Sequence, residues 1–176
     1  MILDTAQLHP TYRAIVGPLL DQLMSAYPSC PLEAVEVVRG AAGDRSLGNA
    51  DTPGKIQLNG YWFRDRPIEA LEAEAERGYL FSLPGSEQVL RWHGGMREPQ
   101  HAICHEFFHV LSDVLPGYRE WAEEQWLDAT GAPGAAVSGY ALSGPEEWFA
   151  EACAASWLRI DHPSARETLA FLSRES

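Results

Sequence analysis

The sequence predicts an α+β fold with a small N-terminal sheet lobe, a central helix and a helical C-terminal lobe. Three observations carry this expectation. Strand-like runs, Leu32 to Arg39 and Lys55 to Asn59, fall early in the chain. The pentapeptide His105-Glu106-Phe107-Phe108-His109 then sits in an apolar stripe of helical spacing made by Ile103, Phe107, Val110, Leu111 and Val114. Beyond it, Arg119 to Thr130, the stretch from Ser143 to Trp157 or Arg159, and a segment opened by Ser164 read as helices.

Taken in order, Thr11 to Tyr27 repeats Tyr12, Ile15, Val16, Leu19, Leu20, Leu23 and Met24 every three or four residues, which predicts an amphipathic helix. Pro18 falls inside it, so a kink or a later start is expected, and Pro28 and Pro31 end it. Val35, Val37 and Val38 favour a strand. Gly40 to Gly54 is rich in Gly, Ala, Asp, Ser and Asn and reads as a surface loop, either mobile or placed at a cleft. Lys55 to Asn59 alternates polar with apolar residues, as a strand with one buried face does. It is either ordinary sheet or a strand to which an extended substrate adds.

Ile68 to Arg77 predicts a short helix ending at Gly78, and Tyr79 to Leu83 and Gln88 to Trp92 are weaker strand candidates. Gly94-Gly95 turns the chain into the motif helix, which Glu98 and Pro99 open and Pro116-Gly117 close. Gly131 to Gly144 reads as a loop with one prominent residue, Tyr140. Ser143 with Glu146, and Ser164 with Glu167, have the form of capping boxes, the second opening a short helix with Leu169 and Leu172 inward.

At 176 residues and 45% hydrophobic content, the chain is expected to be a single domain, 1–176, with a real core. No run reaches the roughly 18 apolar residues of a membrane span, and the N-terminus lacks the plan of a signal peptide. The expectation is a chain cytoplasmic as encoded, with leaderless export open and no membrane partner. A net charge of −12 argues against nucleic acid as a partner. Cys30, Cys104 and Cys153 are odd in number and form no C-x-x-C pair, so they are read as buried small hydrophobes and not as a disulfide or thiolate scaffold.

The chemistry points to the pentapeptide. Residues four apart on a helix share a face, so His105 and His109 can offer imidazole nitrogens to one ion, with Glu106 beside it. Zinc held by three protein ligands keeps a position for water, and a neighbouring carboxylate can take the proton from that water as it attacks a carbonyl. A third ligand is required. Glu147 and Glu151 stand one turn apart in a mostly apolar stretch with Trp148, Phe149, Ala152 and Ala155. Either these acids face inward and need a partner such as a metal, or Glu146, Glu147 and Glu151 form a solvated face.

The H-E-F-F-H helix followed by Y-A-L-S-G-P-E-E-W-F-A-E-A resembles the catalytic domain of anthrax toxin lethal factor and the Pro-Pro endopeptidases, which are gluzincin-type zinc metallopeptidases. The resemblance runs from about Gly94 to the end. It implies a zincin-like fold with a cleft between lobes, zinc as cofactor, and a protein or peptide substrate. In that family a glutamate ligand follows a tyrosine by seven residues, as Glu147 follows Tyr140 here. The resemblance therefore implies His105, His109 and Glu147 as metal ligands and Glu106 as the base. It further implies Tyr140 as donor to the developing oxyanion and Glu151 as the acid that orients a ligand histidine. Phe108 stands where the family often has Gly, and the strand around Ile56 to Asn59 matches the family's cleft-edge strand in order.

Among nearby residues, His101 is read as a rim or exposed residue, because it would lie roughly 12 Å along the axis from His109. Asp113 is read as a surface acid, with a hydrogen bond into the site as the alternative, and Cys104 as a core residue. The sequence thus predicts a zinc-dependent endopeptidase. The alternatives are a zincin-like module that binds or regulates without catalysis, and a toxin or phage effector peptidase with a single protein target. Oligomeric state has no signature in the sequence.

Overall fold

Seventeen residues with buried Tyr12, Val16, Leu19, Leu20 and Leu23 on one stripe make the first long helix, α1 (Pro10–Ala26). A computed structural model describes residues 2–3, 5–40, 46–76, 98–132 and 135–175. Pro10 opens α1, where its missing N–H costs nothing, and the Tyr27 N–H closes it on the Leu23 carbonyl. Pro18 lies inside the helix without ending it, so the start expected at Thr11 holds to within a residue. The described residues divide between two compact units, one drawn from residues 2–76 and 98–114 and the other from 115–175. Both helix and strand are present, an α+β composition. No described helix is long and apolar enough to cross a membrane.

The first unit carries a four-stranded sheet of β1 (Ile2–Leu3), β2 (Ala34–Val38), β3 (Gly48–Asn49) and β4 (Lys55–Asn59), in the order β1-β2-β4-β3. β1, β2 and β4 run parallel, and β3 pairs antiparallel with β4 through Gly48 with Leu58 and Asn49 with Gln57. Parallel neighbours β2 and β4 need a crossover, and the Gly-rich stretch supplies it. That stretch is therefore not all loop, because part of it returns as β3. Lys55–Asn59 also differs from its expected role. Among the described residues it lies between β2 and β3, and where β3 pairs with it, at Gln57 and Leu58, it has no free side for an added strand; there the outer strand is β3.

Ile56 and Leu58 are buried on β4 while Lys55 and Gln57 are half-buried, the alternation read from the sequence. Asn59 then turns the chain into α2 (Gly60–Phe63). Its Oδ1 accepts the Tyr61 N–H at 3.0 Å, and its Nδ2 donates to the Ser46 carbonyl at 2.7 Å. α3 (Ile68–Glu76) follows as expected. The strand candidates at 79–83 and 88–92 and the turn at 94–95 lie outside the described residues. α4 (Glu98–Ser112) packs against α1, α3, β3 and β4. Ile103, Phe107, Val110 and Leu111 are buried on it, and the Tyr27 ring meets Phe107 and Phe108 at centroid distances of 6.2 and 5.5 Å. Val114 was expected in the same stripe, but it follows the helix end and is exposed.

The second unit is helical: α5 (Tyr118–Gly131), a 3-10 turn at Tyr140–Ser143, α6 (Pro145–Trp157) and α7 (Pro163–Glu175). α6 is its centre, buried continuously from Trp148 to Ala155 and packed against α5, α7 and the 3-10 turn. Trp121 of α5 stacks on Phe171 of α7 at 4.4 Å and 10°, and meets Trp148 of α6 edge-on at 5.5 Å. Neither expected capping box forms. Gly144, not Ser143, precedes α6 and makes no side-chain cap, because Pro145 already presets the first turn. His162 takes the place expected of Ser164 in α7, its Nδ1 accepting the Ser164 N–H at 3.2 Å. Leu172 is buried as expected, but Leu169 is exposed, because Ala165, Thr168, Phe171 and Leu172 form the inward face.

α6 ends in a Schellman motif. The Ile160 N–H bonds the Ala155 carbonyl at 2.9 Å and the Arg159 N–H the Ser156 carbonyl at 3.1 Å, with Arg159 in the left-handed region at φ 60°. Glycine fills that position without the steric cost of a Cβ. Replacing Arg159 with Gly is expected to raise unfolding stability in urea by about 0.5–1 kcal/mol; a loss of stability would show that the arginine side chain outweighs the strain.

Candidate metal centre

α4 sets His105 and His109 one turn apart on one face, and their Nε2 atoms converge to 2.9 Å, with ring centroids 4.6 Å apart. Two neutral imidazoles at this distance can share one proton, or both can turn lone pairs toward a cation. A tetrahedral zinc ion with nitrogens about 2.0–2.1 Å away separates two of them by about 3.3 Å, so the rings need part only slightly to fit. His105 is buried and His109 half-buried.

Glu106 is a carboxylate only 8% exposed. It lies beneath the edge strand: a Cβ at Gly48 would stand 3.2 Å from Glu106 Cγ and 3.0 Å from the Gln57 carbonyl oxygen. Gly48 thus lets β3 run close over the carboxylate. No sequence signal marks this approach, because a two-residue strand inside a Gly-rich stretch has no periodicity. His101 is a correction. Expected at the rim, it is buried, with its ring centroid 6.0 Å from that of His105. Its axial distance from His109 bears on sharing a metal with that residue, whereas its burial is set by the packing of α4. Asp113 is exposed, as a surface acid should be.

In the helical unit, Tyr140 opens the 3-10 turn and is half-buried. Glu147, in the first turn of α6, is half-buried, Glu146 is exposed, and Glu151 one turn further is fully buried. The solvated-face reading therefore holds for Glu146 and fails for Glu151. Glu151 Oε2 accepts the Ser138 hydroxyl at 2.6 Å, and Ser138 Oγ in turn accepts the Ala141 N–H at 3.1 Å. Trp126 Nε1 donates to the Leu142 carbonyl at 3.1 Å and Ser143 Oγ to the Tyr140 carbonyl at 2.6 Å. Ser138 was missed by sequence reasoning. Its only signal is indirect, in that an inward-facing acid needs a donor from somewhere.

Among the described residues, two groups of His and Glu side chains could hold a metal ion: His105, His109 and Glu147, and His101, His105 and Glu151. The cysteines offer no such donors. All three are buried and free, and burial pushes the Cys30 thiol up to about 11 and those of Cys104 and Cys153 well above the ordinary range. They remain protonated at neutral pH, in keeping with the core role expected of them. No family model, no curated protein and no solved structure matches the chain.

Thiol labelling with an aromatic disulfide at pH 8 is expected to be slow for the native chain and to reach all three cysteines once it is unfolded in guanidinium. A fast-reacting native thiol would contradict the burial described.

Proposed function

We propose that the chain is a zinc-dependent endopeptidase with a zincin-like fold, of the gluzincin type and akin to the lethal factor catalytic domain and the Pro-Pro endopeptidases. The observation that carries this reading is the convergence of His105 and His109 Nε2 at 2.9 Å on a helix whose intervening Glu106 is held under an edge strand. In this reading His105, His109 and Glu147 hold the ion. Zinc, when bound, supplies Lewis acidity and a lowered water pKa.

The remaining chemistry belongs to the side chains. The Glu106 carboxylate accepts a proton from the attacking water and delivers it to the leaving amine. The Tyr140 hydroxyl donates a hydrogen bond to the oxyanion as the peptide carbonyl becomes tetrahedral. Glu151 fixes a ligand histidine by accepting its ring N–H, so that the opposite nitrogen keeps its lone pair for the metal. The substrate is a protein or peptide that enters extended and pairs with the outer side of β3, directly above Glu106. This replaces Lys55–Asn59 with β3 as the docking strand. The net charge of −12 disfavours a polyanionic substrate.

Metal content measured by mass spectrometry on purified protein is expected to show about one zinc per chain, lost in Glu147→Ala. Absence of zinc from the wild type, or full retention in the variant, would overturn the ligand set. Glu106→Gln is expected to keep the zinc while cleavage of a quenched fluorescent peptide library falls by at least about a hundredfold. If zinc is lost together with activity, Glu106 supports the site and is not its base.

A further inference from the structure

Tyr140 sits in the short segment that leads into α6. The 3-10 turn it opens is closed by a Leu142 N–H to Gly139 carbonyl bond of 3.3 Å, long for such a bond. Side-chain chemistry adds a second restraint. Ser138 is 4% exposed, and its hydroxyl has one proton, which goes to Glu151 Oε2 at 2.6 Å. Its oxygen then accepts the N–H of Ala141, the residue directly after Tyr140. One hydroxyl therefore ties the Tyr140–Ala141 peptide to a buried carboxylate on α6. Ala141 is itself fully buried, so this peptide plane has little freedom. The far end of the turn is braced separately by Trp126 on the Leu142 carbonyl.

We propose that Ser138 is a positioning residue that sets where the Tyr140 hydroxyl points by anchoring the Tyr140 turn to Glu151. This rests on the reading of Tyr140 as the oxyanion donor and of Glu151 as the carboxylate that orients a metal ligand. It gives Glu151 a second task. One Glu151 oxygen holds the oxyanion loop while the carboxylate serves the histidine, so the ligand side and the oxyanion side of the site share a single buried acid. A merely structural Ser138, present only to satisfy Glu151, would stabilise the unit without acting through Tyr140.

The test uses the full-length chain with zinc, comparing wild type, Ser138→Ala, Ser138→Thr, Tyr140→Phe and the Ser138→Ala/Tyr140→Phe double variant. Amide exchange followed by NMR should show Ala141 deprotected in Ser138→Ala and protected again in Ser138→Thr, which keeps the hydroxyl. On a peptide substrate of the wild type, Ser138→Ala should lower kcat by about one to two powers of ten with KM nearly unchanged. The double variant should be no slower than Tyr140→Phe alone. Unchanged Ala141 protection in Ser138→Ala, or losses that add fully in the double variant, would overturn the positioning role. Failure of the peptidase reading has a different signature: a zinc-loaded wild type that cleaves no peptide in the library. In that case Ala141 exchange alone decides whether the tether exists.

Discussion

Ionisable side chains held inside apolar packing are the constraint on which the rest of the structure depends. α4 carries His101, His105 and Glu106 among Ile103, Cys104, Phe107 and Phe108, and all seven are buried. An imidazole or carboxylate removed from water costs several kcal/mol unless something compensates it. A helix that served only the core would carry leucine or alanine at these positions. The close approach of the two Nε2 atoms, and the glycine that lets β3 lie over Glu106, are the local arrangements that make this helix tolerable.

The same constraint recurs in the helical unit. α6 is buried around most of its circumference, and Glu151 is enclosed with it. Its Oε2 accepts the Ser138 hydroxyl, which in turn holds the Ala141 N–H and so ties the 3-10 turn to the helix. The aromatic cluster of Trp121, Trp148, Phe149 and Phe171 joins α5, α6 and α7 by ring contacts in the same unit.

Much of this was legible beforehand, for a reason particular to each element. α1 and α4 announced themselves because helices of this length bury a stripe of fixed period, and the stripe survives Pro18 inside α1. The caps were misread. Ser143 and Ser164 have the right neighbours for capping boxes, yet Pro145 and His162 set the helix starts, since a local pattern competes with whatever else can satisfy the first N–H groups. Leu169 faces water because the inward stripe of α7 runs through Ala165, Thr168, Phe171 and Leu172, and Leu169 lies about 100° around the helix from Thr168.

The sequence by itself determined the residue types of the candidate site and their helical spacing: His105 and His109 four apart with Glu106 between them, and Glu147 and Glu151 four apart on another helix. Intrahelical geometry is local, so a four-residue spacing fixes which side chains share a face before any packing occurs. Only the tertiary structure decided that β3 lies outside β4 among the described strands, that His101 is buried, and that Ser138 donates to Glu151. Strand order, burial and a hydrogen bond between residues thirteen apart join groups whose separation in sequence carries no period, and packing alone brings them together.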